Sequence, residues 1–203
     1  MAPLTRCLAY DEIMSFVASR YQPQVATLLG LDGDGHRPMP LLAKGCVSRM
    51  ARQLLRDANP SAWFPGARAP EEAIAGLWLY FSGFAESHAI SQNLHSVEGA
   101  YWHGILHRQE PDNGNARYWL RRSAKHPIHP NLHQQAEWIV DDLSSHLVLP
   151  SPWDSLWFAD LCDEAARSVS HPNREVALQI QLAEWQLLFD FCASPPSGSD
   201  CQG

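Results

Sequence analysis

The sequence predicts an all-α fold, a single-domain multi-helix bundle, and three observations carry that expectation. Apolar residues recur at three- and four-residue spacings through most segments between turn residues. No segment alternates apolar and polar residues with period two, and β-branched residues are sparse, which argues against a sheet. The last long segment, 172–191, carries two apolar stripes: Val176, Ile180, Ala183, Leu187 and Phe191, and Leu178, Leu182, Trp185 and Phe189. A helix apolar on more than one face belongs at the centre of a bundle.

The elements follow in chain order. Leu8, Ile13, Phe16 and Val17 fall at helical spacing from Arg6 to Arg20, and a second short helix is expected past Pro23 as far as Leu29. The stretch LDGDGHRPMP at 31–40 is loop chemistry. It superficially resembles a calcium loop, but no acid follows Asp34 where an EF-hand needs alternating ligands and a closing glutamate. A helix is expected from Leu41 to Asp57, burying Leu42, Cys46, Met50 and Leu54 and exposing Arg49, Arg52 and Arg56. NPSAWFPGARA breaks it. Pro70, Glu71 and Glu72 make a favourable helix start, since proline suits the first turn and early acids face the dipole's positive end. That helix runs through Trp78 and Phe81. Three more follow at 86–94, 97–108 and 113–124, the last two joined by the turn QEPDNG into a tight hairpin. After HPIHPN, Asn131 is expected to cap a helix burying Leu132, Ala136, Ile139, Val140 and Leu143. LPSP separates it from helices at 153–168 and 172–191.

Length and composition bound the function. A chain of 203 residues with 45% hydrophobic content can fill one core, so one domain is expected over 1–193, with the polar stretch SPPSGSDCQG at 194–203 as a disordered tail. The longest apolar runs, 28–31 and 77–81, fall far short of the roughly 18 to 20 residues that span a bilayer. Asp11 and Glu12 stand where a secretory signal would be apolar, so a cytoplasmic location is expected. The five cysteines contain no C-x-x-C pair, and Cys162 and Cys192 sit within apolar helical patterns as core residues. Acids outnumber bases 22 to 15, for a net charge of −7, which argues against broad nucleic-acid binding. Neither G-x-S-x-G nor a glycine-rich phosphate loop is present, so ordinary hydrolase and nucleotide-binding classes lose ground.

Chemistry concentrates between His88 and His133, which hold seven of the ten histidines. His103 and His107, four apart on one helix, project to one side as helical metal ligands do. With Glu98 they form a candidate divalent metal site, a fourth group coming from His88 or His126 and with His95 or Glu110 as acid or base. At about 100° per residue, Glu98, His95 and His107 spread over about 180° of one helix, so a shared ion needs a bend or a second helix. Arg108, Arg117, Arg121, Arg122 and Lys125 form a basic strip suited to phosphate or carboxylate. The structural alternatives are histidines hydrogen-bonded to nearby acids, a solvated charged face, and Trp102, Tyr118 and Trp119 as core.

The string GILHRQEPDNGNARYWLRRSA resembles one helical pair of the Sel-one-like and tetratricopeptide families. Gly104 and Ala116 match the small residues that let paired helices approach, and Asp112, Trp119, Ser123 and Ala124 complete the match over about 25 residues. More broadly, ESHAISQNLHSVEGAYWHGILHRQEPDNGNARYWLRR, WFADLCDEAAR and EWQLLFDFC are similar to a family of uncharacterised bacterial all-helical proteins, over residues 71–192. That resemblance implies an independent domain and no particular activity.

Two functions remain open. The first is a helical ligand-binding or protein-interaction domain using Glu98, His103, His107, Arg108, Tyr118 and Arg121 toward a protein or small anionic ligand, with no membrane and no nucleic acid. The second is a small metal-dependent enzyme using Glu98, His103 and His107.

Overall fold

A computed structural model describes residues 16–43, 45 and 48–196, and among these no strand occurs. The described residues form ten α-helices: α1 (Pro23–Leu29), α2 (Arg49–Arg56), α3 (Pro60–Trp63), α4 (Pro70–Tyr80), α5 (Phe84–Ser91), α6 (Val97–Gln109), α7 (Asn113–Leu120), α8 (His129–Asp142), α9 (Ser155–Ala166) and α10 (Arg174–Ala193). Three short 3-10 turns, Ala18–Arg20, Gly33–Gly35 and Arg121–Ser123, complete the set. The all-α expectation holds. Most of the helix expected from Arg6, and the tail beyond Pro196, lie outside the described residues.

The core explains the order of packing. The final helix α10 packs on α4, α8 and α9, and its two halves serve different apolar clusters. Trp185, Leu188, Phe189 and Cys192 join Trp78, Tyr80, Trp102 and Leu106, while Val176, Ile180 and Ala183 join Leu132, Phe158 and Cys162. Trp185 stacks on Phe189 at 5.0 Å and donates its indole N–H to the Gly76 carbonyl at 2.8 Å. Such a bond satisfies the one polar atom of a buried Trp. The double stripe read from the sequence thus marks the central helix.

Helix α6 is buried as well, every residue from Gly99 to Gln109 being buried. Small residues make room for it. A Cβ at Gly76 of α4 would stand 2.6 Å from the Trp102 ring, and one at Gly104 would stand 2.7 Å from Leu120 of α7. Gly104 therefore sets the close approach within the α6–α7 hairpin.

Several helix boundaries shift by two to four residues, and three expectations about the helices near 41–57 and 129–142 are corrected. The helix expected from Leu41 begins only at Arg49, where Ser48 Oγ accepts the Ala51 N–H. Its buried face is Ala51 and Leu55; Leu42 and Met50 are exposed, and Cys46 lies outside the described residues. The chain from Met39 to Ala43 is not helical. It lies instead against the core, where Leu41 is buried, the Pro40 carbonyl accepts from Gln109 Nε2 at 2.9 Å and the Met39 carbonyl from Gln181 Nε2 at 3.0 Å. Asn131 does not cap α8, which starts two residues earlier with Pro130 in its first turn. Proline's fixed φ favours that position over a cap one residue later. Leu143, expected on the buried face of that helix, is exposed beyond its end.

Candidate metal-binding site

His103 and His107 project from α6 one turn apart, and α5 brings His88 beside them. One ligand nitrogen from each of the three imidazoles lies within 4.8 Å of the others. The His103 ring lies nearly parallel to His107 (centroids 4.7 Å, 20°) and to Trp119 of α7 (4.2 Å, 19°). His88 stands edge-on to the pair, at 90° to His103 and 86° to His107. The stack is closed on the far side by Arg122, whose guanidinium lies 5.1 Å from the Trp119 ring centre.

His103 is a buried side chain in which both ring nitrogens lack a hydrogen-bond partner. Buried imidazoles normally find partners, because an unpaired buried polar atom costs about 1–3 kcal/mol. Neither ring nitrogen of His103, only 3% exposed, has one, and neither does His107 Nδ1. Burial pulls the His103 pKa down to about 4, helped by the neighbouring His107 and His88. It lowers His107 as well, against the opposing pull of Glu110 and Asp112. Both rings are therefore neutral near pH 7, the form that carries a free lone pair for a metal. The Glu110 carboxylate stands 3.4 Å from His107 Nδ1. A carboxylate in that outer position orients a ligating imidazole and raises its basicity.

The other expected site residues are dispersed. Glu98 is about half a turn around α6 from His107; it is not in the cluster, and its carboxylate faces His126 Nε2 at 3.7 Å. That pairing, led by His126, holds Glu98 below its usual pKa. His126 is thereby also placed away from the histidine cluster, and His95 is exposed in the α5–α6 connection. Arg108, expected on a basic rim, is buried: its Nη2 donates to Glu184 of α10 and to Gln181 Oε1 at 3.3 Å, and its guanidinium covers Phe158 at 4.7 Å. A charge so buried requires a counter-ion, and Glu184 of α10 supplies it. Tyr101 donates to the same Glu184 at 3.0 Å, and Ser155 Oγ lies 3.3 Å from His129 Nε2. Arg117 is bound to Asp160 at 2.8 Å. Tyr118 and Arg121 are exposed.

His88 and Trp119 have the largest roles that sequence reasoning underweighted. His88 stood only as an alternative fourth group, and Trp119 as core of the helical pair. Their signal lay in the short α5–α6 and α6–α7 connections, which oblige adjacent helices to face each other. Cys162 and Cys192 are buried, and burial pushes their thiols up, Cys162 to about 12, so neither is poised as a nucleophile. Among the described residues no helix is long and apolar enough to cross a membrane. Compared with known proteins, the chain matches no family model, no curated sequence and no solved structure.

Proposed function

We propose that this protein binds a divalent first-row transition metal through His88, His103 and His107. The ligand-binding role read from the sequence then takes a specific form: the ligand is a metal ion, and Glu98 is not among its ligands. One observation carries this reading, the convergence of three imidazole nitrogens at a place where buried His103 has no hydrogen-bond partner on either side. A metal would remove the cost at one of the two nitrogens by accepting its lone pair. The donor set is all nitrogen, which suits zinc, copper, nickel or iron and disfavours calcium and magnesium.

Tetrahedral coordination at about 2.0–2.1 Å places ligand nitrogens roughly 3.3 Å apart. The three rings reach that spacing by closing on the ion, with His88, half-buried on a separate helix, as the mobile ligand. Three protein ligands leave one tetrahedral position open, the pattern of catalytic rather than structural zinc. Such an ion supplies Lewis acidity and a water that ionises near neutral pH. Glu110 is the carboxylate best placed to hold His107 in the ligating tautomer.

Purification without a histidine tag, followed by elemental mass spectrometry, tests the reading. Roughly one equivalent of metal per chain is expected, lost in His103→Ala and in His88→Ala with helical circular dichroism retained. A folded protein that neither carries metal nor takes up zinc, nickel or copper when these are supplied contradicts it.

A further inference from the structure

A metal ion binds the lone pair that lies in the plane of an imidazole ring, so a ligating histidine needs its ring plane fixed. At most metal sites a hydrogen bond from the second ring nitrogen to a carboxylate or carbonyl does this. Glu110 stands 3.4 Å from His107 Nδ1 and fills that place there. His103 has no such partner on either nitrogen, although only 3% of it is exposed. Something other than a hydrogen bond orients it.

The rings around His103 supply that orientation. Trp119 lies nearly parallel to it, with centroids 4.2 Å apart at 19°, and so does His107, at 4.7 Å and 20°. Two rings parallel to a third at such separations fit only on its opposite faces, so His103 is held between them. Trp119 reaches this position because Gly104, next to His103 in the chain, admits α7: a Cβ there would stand 2.7 Å from Leu120, the neighbour of Trp119. The indole is itself braced, by Tyr118 edge-on at 5.2 Å and by the Arg122 guanidinium 5.1 Å from its centre.

We infer that Trp119 is a positioning residue of the metal site, its indole face fixing the His103 ring plane where other sites use a hydrogen bond. The inference rests on the metal reading above. Two effects make the indole act on metal affinity and not on folding alone. The stack orients the His103 lone pair before the ion arrives. An imidazole that ligates a divalent ion also takes on part of its positive charge, which the face of an indole attracts. The close approach of α6 and α7 does not itself require a tryptophan here, because it is Leu120, fully buried, that packs against Gly104, whereas Trp119 is half-buried.

Zinc affinity of the full chain, measured by competition with a chelating dye, is the test, on the parent, Trp119→Phe and Trp119→Leu, with helical circular dichroism and zinc content recorded on the same samples. Trp119→Leu should bind zinc about ten- to hundredfold more weakly, the loss that follows removal of an outer-shell partner, and Trp119→Phe, which keeps a flat ring, should recover most of it. Copper(II), a short-range quencher of indole fluorescence, gives a second readout that does not depend on Trp119→Leu folding. Copper loading should quench a larger share of the emission in the parent than in Trp119→Phe, the chain having eight tryptophans in all. Parent-like zinc affinity in Trp119→Leu, equal weakening in both variants, or equal quenching in the parent and Trp119→Phe overturns the inference and leaves the metal reading intact. A parent protein that takes up no zinc overturns both, and the zinc measurement tells the two failures apart.

Discussion

On one side of α6, Tyr101 and Arg108 meet Glu184 of α10; on the other, His103 and His107 meet His88 of α5. Both clusters are polar groups taken out of water by the same helix. In the first the charges cancel and the carboxylate accepts from two donors, while Arg108 Nε and Nη1 stay unbonded and its guanidinium plane lies over Phe158. In the second an acid, Glu110, reaches His107, but three like groups face one another and the most buried, His103, has no partner at all. A buried group that is paired within the protein has a structural explanation. One that is pre-organised and unpaired is where the proposed metal would bind.

The comparison predicts different costs for breaking each side. The largest effect belongs to Glu184→Ala, which leaves Arg108 charged and buried without its counter-ion. A loss of about 3–5 kcal/mol in denaturant unfolding is expected, and a loss below 1 kcal/mol would show that the pair is not the lock described here.

Next comes pH. An imidazole held near pKa 4 in the folded protein but near 6.5 when unfolded favours unfolding wherever the unfolded chain takes up a proton that the folded one refuses. His103 thus contributes stability that is complete above about pH 6.5 and is lost as the pH falls toward 4, an effect of about 2–3 kcal/mol. Comparing unfolding at pH 7.5 and 4.5, in chelator, between the parent and His103→Phe isolates it. The parent should lose more stability across that interval, and equal losses would contradict the burial assigned to His103.

Tyr101→Phe removes one of the two donors to Glu184 and should cost about 1–2 kcal/mol, without changing metal content. The smallest effect is the most diagnostic. His103→Phe replaces an unpaired polar ring with an apolar one that can still stack on Trp119, so metal-free stability should change by less than about 1 kcal/mol while metal binding disappears. A large destabilisation without metal would place His103 among the structural residues, alongside Tyr101.

The sequence made some of this visible and hid the rest for physical reasons. The α6–α7 hairpin was legible because QEPDNG interrupts two helical patterns, and Gly104 marks the close approach to Leu120. The central place of α10 followed from its two stripes. Leu42 and Met50 misled because the spacing of Leu42, Cys46 and Met50 is local, whereas Gln109 and Gln181 hold the Pro40 and Met39 carbonyls so that Leu41 is the residue that turns inward. At the site, His103 and His107 were legible from spacing alone. Glu98 joined them by nearness in sequence, although its direction around α6 carries it to His126. Arg108 adjoins His107 in the chain yet faces the opposite cluster, for the same angular reason. The absence of partners around His103 depends on what α5 and α7 present to it, which no local pattern encodes.

X-ray absorption at the zinc edge, on the zinc-loaded full chain, tests the central claim most directly. The account predicts three imidazole nitrogens at about 2.0–2.1 Å with one further light atom, and no such shell in His88→Ala, which does not retain the metal. A shell with fewer than two imidazoles, or one unchanged by substituting His88 or His103, would contradict it.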